Sequence, residues 1–352
     1  MTGKRAYRRR RLKPWAVVAL ILLIAAVLAG AFFLLRGMGE GNSAGGENNQ
    51  NTQQGGGDQQ LDATVPDEGQ DSSGTDTGTD AGTDGQTDSQ AGDGAIPAGY
   101  TVRTMTEADM GSGELILVSN EHKYTFPEGA DDELVAVIET KSGSYTVNLY
   151  ETMVLPVTVE HLNNMMDDYV AQGGQTDVMV VSGYRTYDFQ QGLFDRSAAR
   201  NGLEHAQRFV AQAGGSEHHT GYAVDLYSTN QGDYLECTGD YAWIGEHCHE
   251  YGFILRYTSE KEEYTKIGPE SWHFRYVGFP HAYIIVENDF CYEEYVDYLR
   301  QFPFDGEHLW YTLDGTEYEI YFVEGLEVPV PESGEYTVSG NNVDGFIVTV
   351  TH

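Results

Sequence analysis

Two short segments of this chain carry side chains that suit a mononuclear metal site. The first holds the imidazole of His218 and, seven residues later, the carboxylate of Asp225; the second holds Glu270 three residues before another imidazole, His273. A catalytic Zn²⁺ takes three nitrogen or oxygen ligands, keeps one position open for water and works beside a base. We therefore expect one Zn²⁺ per chain on His218, Asp225 and His273, with Glu270 as the base.

Strands are expected to position these side chains. In residues 222–226 apolar residues alternate with small or acidic ones, which is the period of a half-buried strand and turns Asp225 to the face opposite Val224. Residues 272–277 are rich in aromatic side chains and predict a second strand, with Glu270 just before it. Two strands from distant parts of a chain can hold ligands rigidly at one point.

A rival cluster also carries metal-binding side chains: His247, Cys248 and His249. It lies in residues 241–251, whose spacing predicts a helix, and on a helix successive side chains diverge by about 100°. The two imidazoles therefore point apart, and Cys248 fits better on the apolar face that this predicted helix buries. No zinc-thiolate spacing occurs among the three cysteines, which form at most one disulfide.

The first two segments resemble the zinc D-alanyl-D-alanine carboxypeptidases of the VanY type. The pattern of that family is Ser-x-His-x-x-Gly-x-Ala-x-Asp followed by Glu-x-Trp-His, and this chain matches every fixed position. The similarity runs from about Gly113 to about Leu299. The family usually has an amide side chain where this chain has His219, which leaves open which of two adjacent imidazoles binds the metal.

A third segment bears on how the substrate is held. Residues 182–190 follow a short apolar run that predicts a buried strand, and an arginine at a strand-to-helix junction can bind a carboxylate through two parallel donors. The resemblance implies that Arg185 and Gln190 hold the terminal carboxylate of the substrate; a structural ion pair is the alternative for Arg185. The same resemblance implies three further substrate contacts: Ser216, Tyr257 and Trp272.

The first 97 residues are expected to anchor the chain in a membrane. Residues 1–13 are a basic head, and residues 14–35 are an uncharged apolar run of 22 residues, long enough to cross a lipid bilayer. The positive-inside rule keeps the head in the cytoplasm and places the rest outside. Residues 36–97 are low in complexity and predict a disordered tether. We expect an uncleaved single-pass protein, with signal-peptide cleavage as the alternative.

The rest of the chain predicts an α+β fold: a mostly antiparallel sheet with helices packed against it. Residues 98–300 are assigned to a zinc carboxypeptidase domain, and residues 301–352, with their short β runs, to a small β appendage. Residues 114–118 predict a strand, and residues 134–139 and 145–149 a hairpin. Thr158 is predicted to cap a helix with an apolar stripe: Leu162, Met165, Met166, Tyr169 and Val170. Further helices are predicted over 187–200 and 203–213.

The charge balance excludes one class of partner. The chain carries a net charge of −35, and the basic head with Arg36 holds 8 of its 20 cationic residues. Residues 98–352 therefore carry 43 acids against 12 bases. Binding to a nucleic-acid backbone needs a basic patch, so nucleic acid is not an expected partner.

The residues and the resemblance together imply a membrane-anchored zinc carboxypeptidase that removes the C-terminal D-alanine from peptidoglycan stem peptides. Glu270 would take a proton from the attacking water and later give one to the leaving amine, while Arg185 holds the free carboxylate. A catalytically silent, metal-containing wall-binding module is the alternative, but such a module needs no base like Glu270. The choice between D,D- and L,D-carboxypeptidase activity, the latter on tetrapeptide stems, stays open.

Overall fold

A computed structural model of the protein describes residues 96–352. The basic head, the apolar run of residues 14–35 and nearly all of the predicted tether lie outside these described residues. Within residues 96–352, every helix is too short or too polar to cross a bilayer.

The described chain alternates between strands and short helices. The strands are β1 (Tyr100–Thr104), β2 (Val135–Ala136), β3 (Thr146–Val147), β4 (Met153–Val154), β5 (Val178–Ser182), β6 (Ala223–Ser228), β7 (Asp233–Tyr234), β8 (Phe253–Tyr257), β9 (Glu270–Tyr276), β10 (Leu309–Leu313), β11 (Thr316–Glu324), β12 (Glu327–Pro331), β13 (Glu335–Gly340) and β14 (Gly345–Thr351). The helices are α1 (Glu107–Met110), α2 (Val137–Thr140), α3 (Pro156–Ala171), α4 (Tyr187–Asn201), α5 (Leu203–Phe209), α6 (Ala242–His247), α7 (Glu262–Thr265), α8 (His281–Glu287) and α9 (Tyr292–Leu299). Four 3₁₀ turns join them: Glu217–Thr220, Gly239–Tyr241, Cys248–Tyr251 and Ser259–Lys261.

A six-stranded sheet forms the centre of the fold and confirms the α+β prediction. Its strands lie in the order β3, β5, β6, β9, β8, and β7 pairs with β6. The β3–β5 pair is parallel, and the other pairs are antiparallel. The strands that come from distant parts of the chain, β6 and β9, are therefore direct neighbours.

Helix α3 covers one face of this sheet. Four residues of its predicted stripe are buried against it: Leu162, Met165, Met166 and Tyr169. The prediction that Thr158 caps the helix is wrong, because the helix begins two residues earlier, with Pro156 in the first turn, where its missing N–H costs nothing. The Thr158 hydroxyl instead donates a hydrogen bond to the Gly221 carbonyl at 3.0 Å.

Two predicted strand regions take other forms. In the predicted hairpin, β2 pairs with β4 and β3 pairs with β5, while Val137 begins a short helix that buries this side chain completely. Residues 114–118 are irregular, although Leu115 to Val118 are buried. Side chains satisfy that backbone, since Arg275 donates to the Glu114 carbonyl at 2.7 Å and the Ser339 hydroxyl accepts from the Leu115 amide at 2.9 Å.

The C-terminal strands form an antiparallel sheet in the order β10, β11, β14, β13. Strand β1 pairs with β12, so the first described strand belongs structurally with this C-terminal part. Phe322 and Ile347 pack in one apolar cluster with Ile284 and Tyr295 of helices α8 and α9. The appendage and the larger part of the molecule therefore share a hydrophobic core. All three cysteines are free.

Candidate metal centre

Strand register brings two of the predicted ligands together. In the antiparallel pairing of β6 with β9, Asp225 lies opposite His273, and on the other side of β6 Ser182 lies opposite Asp225 beside a bulge in β5. His218 comes from the 3₁₀ turn that precedes β6. The turn and β6, which are adjacent in sequence, thus meet the distant strand β9 at one point of the sheet.

Gly221 ends that 3₁₀ turn in a left-handed conformation, with φ of 74°. A Cβ atom at this position would lie 2.8 Å from Leu134 Cδ2 and 3.1 Å from Leu155 Cγ. The motif therefore needs glycine here both for the backbone angle and for the close approach. This turn sets the position of His218 relative to Asp225.

The ligand atoms of His218, Asp225 and His273 all lie within 4.8 Å of one another. His218 Nε2 is 3.1 Å from one Asp225 oxygen, and His273 Nδ1 is 3.1 Å from the other. The remaining ring nitrogens contact outer acceptors: His218 Nδ1 lies 2.7 Å from the Gly183 carbonyl, and His273 Nε2 lies 3.1 Å from a Glu217 carboxylate oxygen. Each imidazole is thus held through one nitrogen and presents the other to the shared centre, which is how zinc-binding histidines are arranged. Two nitrogens and one carboxylate oxygen fit a catalytic Zn²⁺.

The charges around the centre are strongly coupled. Burial lowers the pKa of His218 to about 4, which keeps its ring neutral at pH 7. Burial would also lower the pKa of His273, but hydrogen bonds with Asp225 and Glu217 outweigh this effect and raise the pKa to about 9. Metal binding through His273 would therefore require its ring to lose a proton.

Glu217 is a functional candidate that the sequence analysis missed. Its side chain is fully buried, with one oxygen facing His273 and the other accepting from Arg256 Nε at 2.8 Å. Burial would raise the pKa of this carboxyl, but Arg256 and His273 hold the pKa well below its usual range. Arg256 also pairs with Glu293 at 2.7 Å. In the sequence, Glu217 could have been noticed as an acidic residue directly before the predicted ligand His218.

The structure distinguishes the two adjacent imidazoles. His219 Nδ1 lies 2.6 Å from the Arg185 carbonyl, and its Nε2 accepts from the Gly214 amide at 3.0 Å. Both nitrogens of His219 are therefore used to hold backbone segments, and His218 is the imidazole at the centre.

The rival cluster lies apart from this site. Within residues 96–352, the one converging set of three metal-ligating side chains is His218, Asp225 and His273. The predicted helix is divided between α6 and a 3₁₀ turn that begins at Cys248. His247 contacts Glu250 at 2.7 Å and stacks on Trp243.

Glu270 lies inside β9 rather than before it, and one of its oxygens is 3.7 Å from His273 Nδ1. In the β8–β9 register it is opposite Tyr257, whose ring centroid is 5.0 Å from that of His273. Burial raises the pKa of Glu270 to about 7. The Glu270 carboxyl thus lies beside the ligand atoms of His218, Asp225 and His273 but does not belong to that set.

Arg185 lies at the edge of the centre. Its Nη2 donates to Asp225 at 2.5 Å, its Nε to the Ser182 hydroxyl at 2.9 Å, and its Nη1 to the Gln190 side-chain oxygen at 3.3 Å. Gln190 is buried and donates through Nε2 to the Ala211 carbonyl at 2.7 Å. Both ends of the Gln190 amide are therefore occupied, which makes this residue a support for the arginine.

A cavity of about 550 Å³ opens onto the centre. All of the predicted site residues line it: Arg185, Gln190, Ser216, His218, Asp225, Tyr257, Glu270, Trp272 and His273. Tyr234 was not predicted; its ring packs on Trp272 with the centroids 4.8 Å apart. It comes from the two-residue strand β7, too short to give a periodic signal.

The chain is similar to known D-alanyl-D-alanine carboxypeptidases. Residues 152–279 match the family described as VanY: D-alanyl-D-alanine carboxypeptidase. The chain is similar to a D-alanyl-D-alanine carboxypeptidase of Enterococcus faecium, with 32% identity over 256 residues that cover 70% of this chain and 78% of the relative. It is also similar to the bifunctional D-Ala-D-Ala dipeptidase and D-Ala-D-Ala carboxypeptidase VanXYC of Enterococcus gallinarum, with 40% identity over 137 residues, 37% of this chain and 72% of the relative. A crystal structure of the vancomycin resistance D,D-dipeptidase VanXYg in complex with a D-Ala-D-Ala phosphinate analogue aligns with a TM-score of 0.63 and 28% identity, covering 72% of this chain and 99% of that one.

Proposed function

Because the chain belongs to the VanY family of D-alanyl-D-alanine carboxypeptidases and is a metallocarboxypeptidase, we propose that it removes the C-terminal D-alanine from peptidoglycan stem peptides. The observation that carries this proposal is the convergence of His218, Asp225 and His273 within 4.8 Å, with the Glu270 carboxyl beside them. A wall-binding module would need no carboxyl at that position.

His218, Asp225 and His273 would hold the Zn²⁺. When bound, the ion supplies Lewis-acid activation of the scissile carbonyl and of water. The chain contributes the orientation of the ligands, through the Gly183 carbonyl behind His218 and the Glu217 carboxylate behind His273.

Glu270 moves the protons of the reaction. Its carboxylate takes a proton from the attacking water, whose oxygen forms the new bond to the carbonyl carbon of the penultimate residue. When the C–N bond breaks, Glu270 gives that proton to the leaving amine, so that free D-alanine departs and the carboxylate is regenerated. Its position opposite Tyr257 in a paired strand keeps the carboxyl on the cavity side of the sheet.

Arg185 is proposed to recognise the end of the substrate. Its guanidinium is held by Ser182, Gln190 and Asp225 and lines the cavity. A planar group with several donors suits the free C-terminal carboxylate, so a peptide with a blocked end should be a poor substrate. Ser216, Tyr257 and Trp272 are proposed to contact the rest of the terminal dipeptide.

The direct test is to incubate the full-length protein with two stem peptides and to weigh the products. One peptide ends in D-Ala-D-Ala, and the other is a tetrapeptide that ends in an L-centre followed by D-alanine. We expect the first to lose one alanine and the second to stay intact. Loss of alanine from the tetrapeptide alone would assign L,D-carboxypeptidase activity, and no loss from either would refute the proposal.

We also propose that residues 14–35 anchor the protein, with the catalytic domain outside the cell. Protease added to intact cells should then release a soluble domain by cutting between residues 37 and 97. Protection of this segment would mean that the proposed orientation is wrong.

A further inference from the structure

One face of helix α4 forms a wall of the cavity away from the metal centre. Besides Gln190, five of its residues line the cavity, at the i, i+3, i+4, i+7 and i+8 positions of a single helix face: Leu193, Arg196, Ser197, Arg200 and Asn201. Two of the five are arginines one helical turn apart. The metal centre does not use them.

Arg196 and Arg200 have no acidic partner within 4.0 Å among residues 96–352. Five other arginines of this part of the chain do have such a partner: Arg185, Arg208, Arg256, Arg275 and Arg300. Arg103, on β1, has none among the residues that the structure describes. Two cations one turn apart on a helix repel each other weakly, and an anion bound between them removes that repulsion.

The charge balance of the cavity is the reverse of that of the protein. Residues 98–352 carry 43 acids and 12 bases, whereas the cavity is lined by three arginines and two acids. Both acids, Asp225 and Glu270, belong to the metal centre. The rest of the cavity is therefore cationic in an otherwise acidic molecule, which favours the entry of an anion.

The position of the pair indicates which part of a substrate it would meet. At about 1.5 Å of rise per residue, the Cα atoms of Arg196 and Arg200 lie roughly 9 and 15 Å along the helix from that of Gln190, which supports Arg185. The leaving D-alanine has only one carboxylate, and Arg185 is assigned to it. A second anion must therefore belong to the part of the substrate that is retained after cleavage.

We propose that Arg196 and Arg200 bind an anionic group, a carboxylate or a phosphate, on the retained part of the substrate, and that they select acidic peptides. This inference rests on the proposed carboxypeptidase function. It makes the two arginines specificity-determining residues, outside the groups that touch the reacting atoms.

The test uses three peptides that share the D-Ala-D-Ala end and differ at one internal position: glutamate, glutamine or phosphoserine. The position is moved in turn through two, three and four residues before the scissile bond. The zinc-loaded full-length protein is compared with the double variant Arg196→Gln/Arg200→Gln. Arg103→Gln is the matched control, because Arg103 is also exposed and without an acidic partner within 4.0 Å among the described residues but lies on β1, outside the cavity.

We expect the parent protein to prefer an anionic peptide over the glutamine peptide by about tenfold in kcat/KM, mainly through a lower KM. A tenfold preference is the size expected of one charge-assisted hydrogen bond that solvent weakens. The preference should weaken with added salt, vanish in the double variant and persist in Arg103→Gln. Whether glutamate or phosphoserine is preferred identifies the anion. Equal use of the three peptides by the parent, or an unchanged preference in the double variant, would overturn the inference.

Binding without turnover separates this inference from the proposed function. Titration of the three peptides into the Glu270→Gln variant, with and without the two arginine substitutions, should give the same ranking of affinities. If D-alanine is never released but the arginine-dependent ranking persists, the proposed function fails and the anion site stands. If D-alanine is released but binding shows no ranking, the anion site fails alone.

Discussion

The contact between Glu217 and His273 gives a prediction about how the metal ligand is held. The Glu217 carboxylate accepts from Arg256 on one oxygen and faces His273 Nε2 with the other. In Glu217→Gln the amide presents a donor in place of one acceptor. If that donor faces His273, the ring must carry its proton on Nδ1, which is the atom that faces the metal centre.

Two effects of this substitution can be given a size. Loss of an outer partner of a metal-binding histidine typically lowers metal affinity by about 10- to 100-fold. Removing one charge from a buried ion pair costs roughly 3–5 kcal/mol of unfolding free energy, because the other charge is left uncompensated. Arg256 keeps Glu293 as a partner at 2.7 Å, so we expect the lower end of that range.

Glu293→Gln is the matched control, because Glu293 pairs with Arg256 but does not contact His273. Zinc affinity is measured by competition with a chromophoric chelator, and stability by urea unfolding of the zinc-free protein. We expect both variants to be destabilised and only Glu217→Gln to bind zinc more weakly. Equal zinc affinity in Glu217→Gln and the parent would refute the role given to Glu217.

Three further outcomes are expected. Arg185→Ala should keep its zinc, measured by metal analysis, but lose the preference for a free C-terminal carboxylate. Peptides with a free and with an amidated C-terminus should then be cleaved at nearly equal rates, and a retained preference would contradict the role of Arg185. Gly221→Ala should lower the unfolding free energy by about 1–3 kcal/mol more than Gly232→Ala does, because both glycines have φ near 74° but only Gly221 faces close neighbours. Equal losses of unfolding free energy in urea would contradict this expectation. Burial lowers the pKa of His281 to about 3, below its unfolded value of about 6.5. The unfolding free energy of the zinc-free protein should therefore fall as the pH drops from 6.5 toward 3, by up to about 1.4 kcal/mol per pH unit. His281→Gln should flatten that slope, and an unchanged slope would contradict the role given to His281.

The convergence of His218, Asp225 and His273 could be predicted in part, because local patterns set the direction of single side chains. Alternation in β6 turns Asp225 to one face. Residues three apart on a regular strand point to opposite faces, so the Glu-x-x-His spacing alone does not place Glu270 beside His273; a shift in the β8–β9 register between Leu255 and Tyr257 accompanies their approach. The apolar stripe of helix α3 was also predicted from a local property, its 3.6-residue period.

The features that the sequence did not reveal depend on long-range contacts. Glu217 acquires its role from Arg256, 39 positions later, and no local pattern reports that pairing. The pairing of β1 with β12 joins residues more than 200 positions apart. Residues 114–118 have the composition of a strand, but the Arg275 and Ser339 side chains satisfy part of their backbone in place of a neighbouring strand.

The central claim is that His218, Asp225 and His273 hold the metal while Glu270 serves as the base. Glu270→Gln tests it most directly, because the substitution keeps the size of the side chain and removes its basicity. We expect zinc content to stay near that of the parent while kcat for D-alanine release falls by about 10²-fold or more, the scale of lost general acid–base catalysis. Loss of zinc from the variant would make Glu270 a ligand, and full activity would contradict its role as the base.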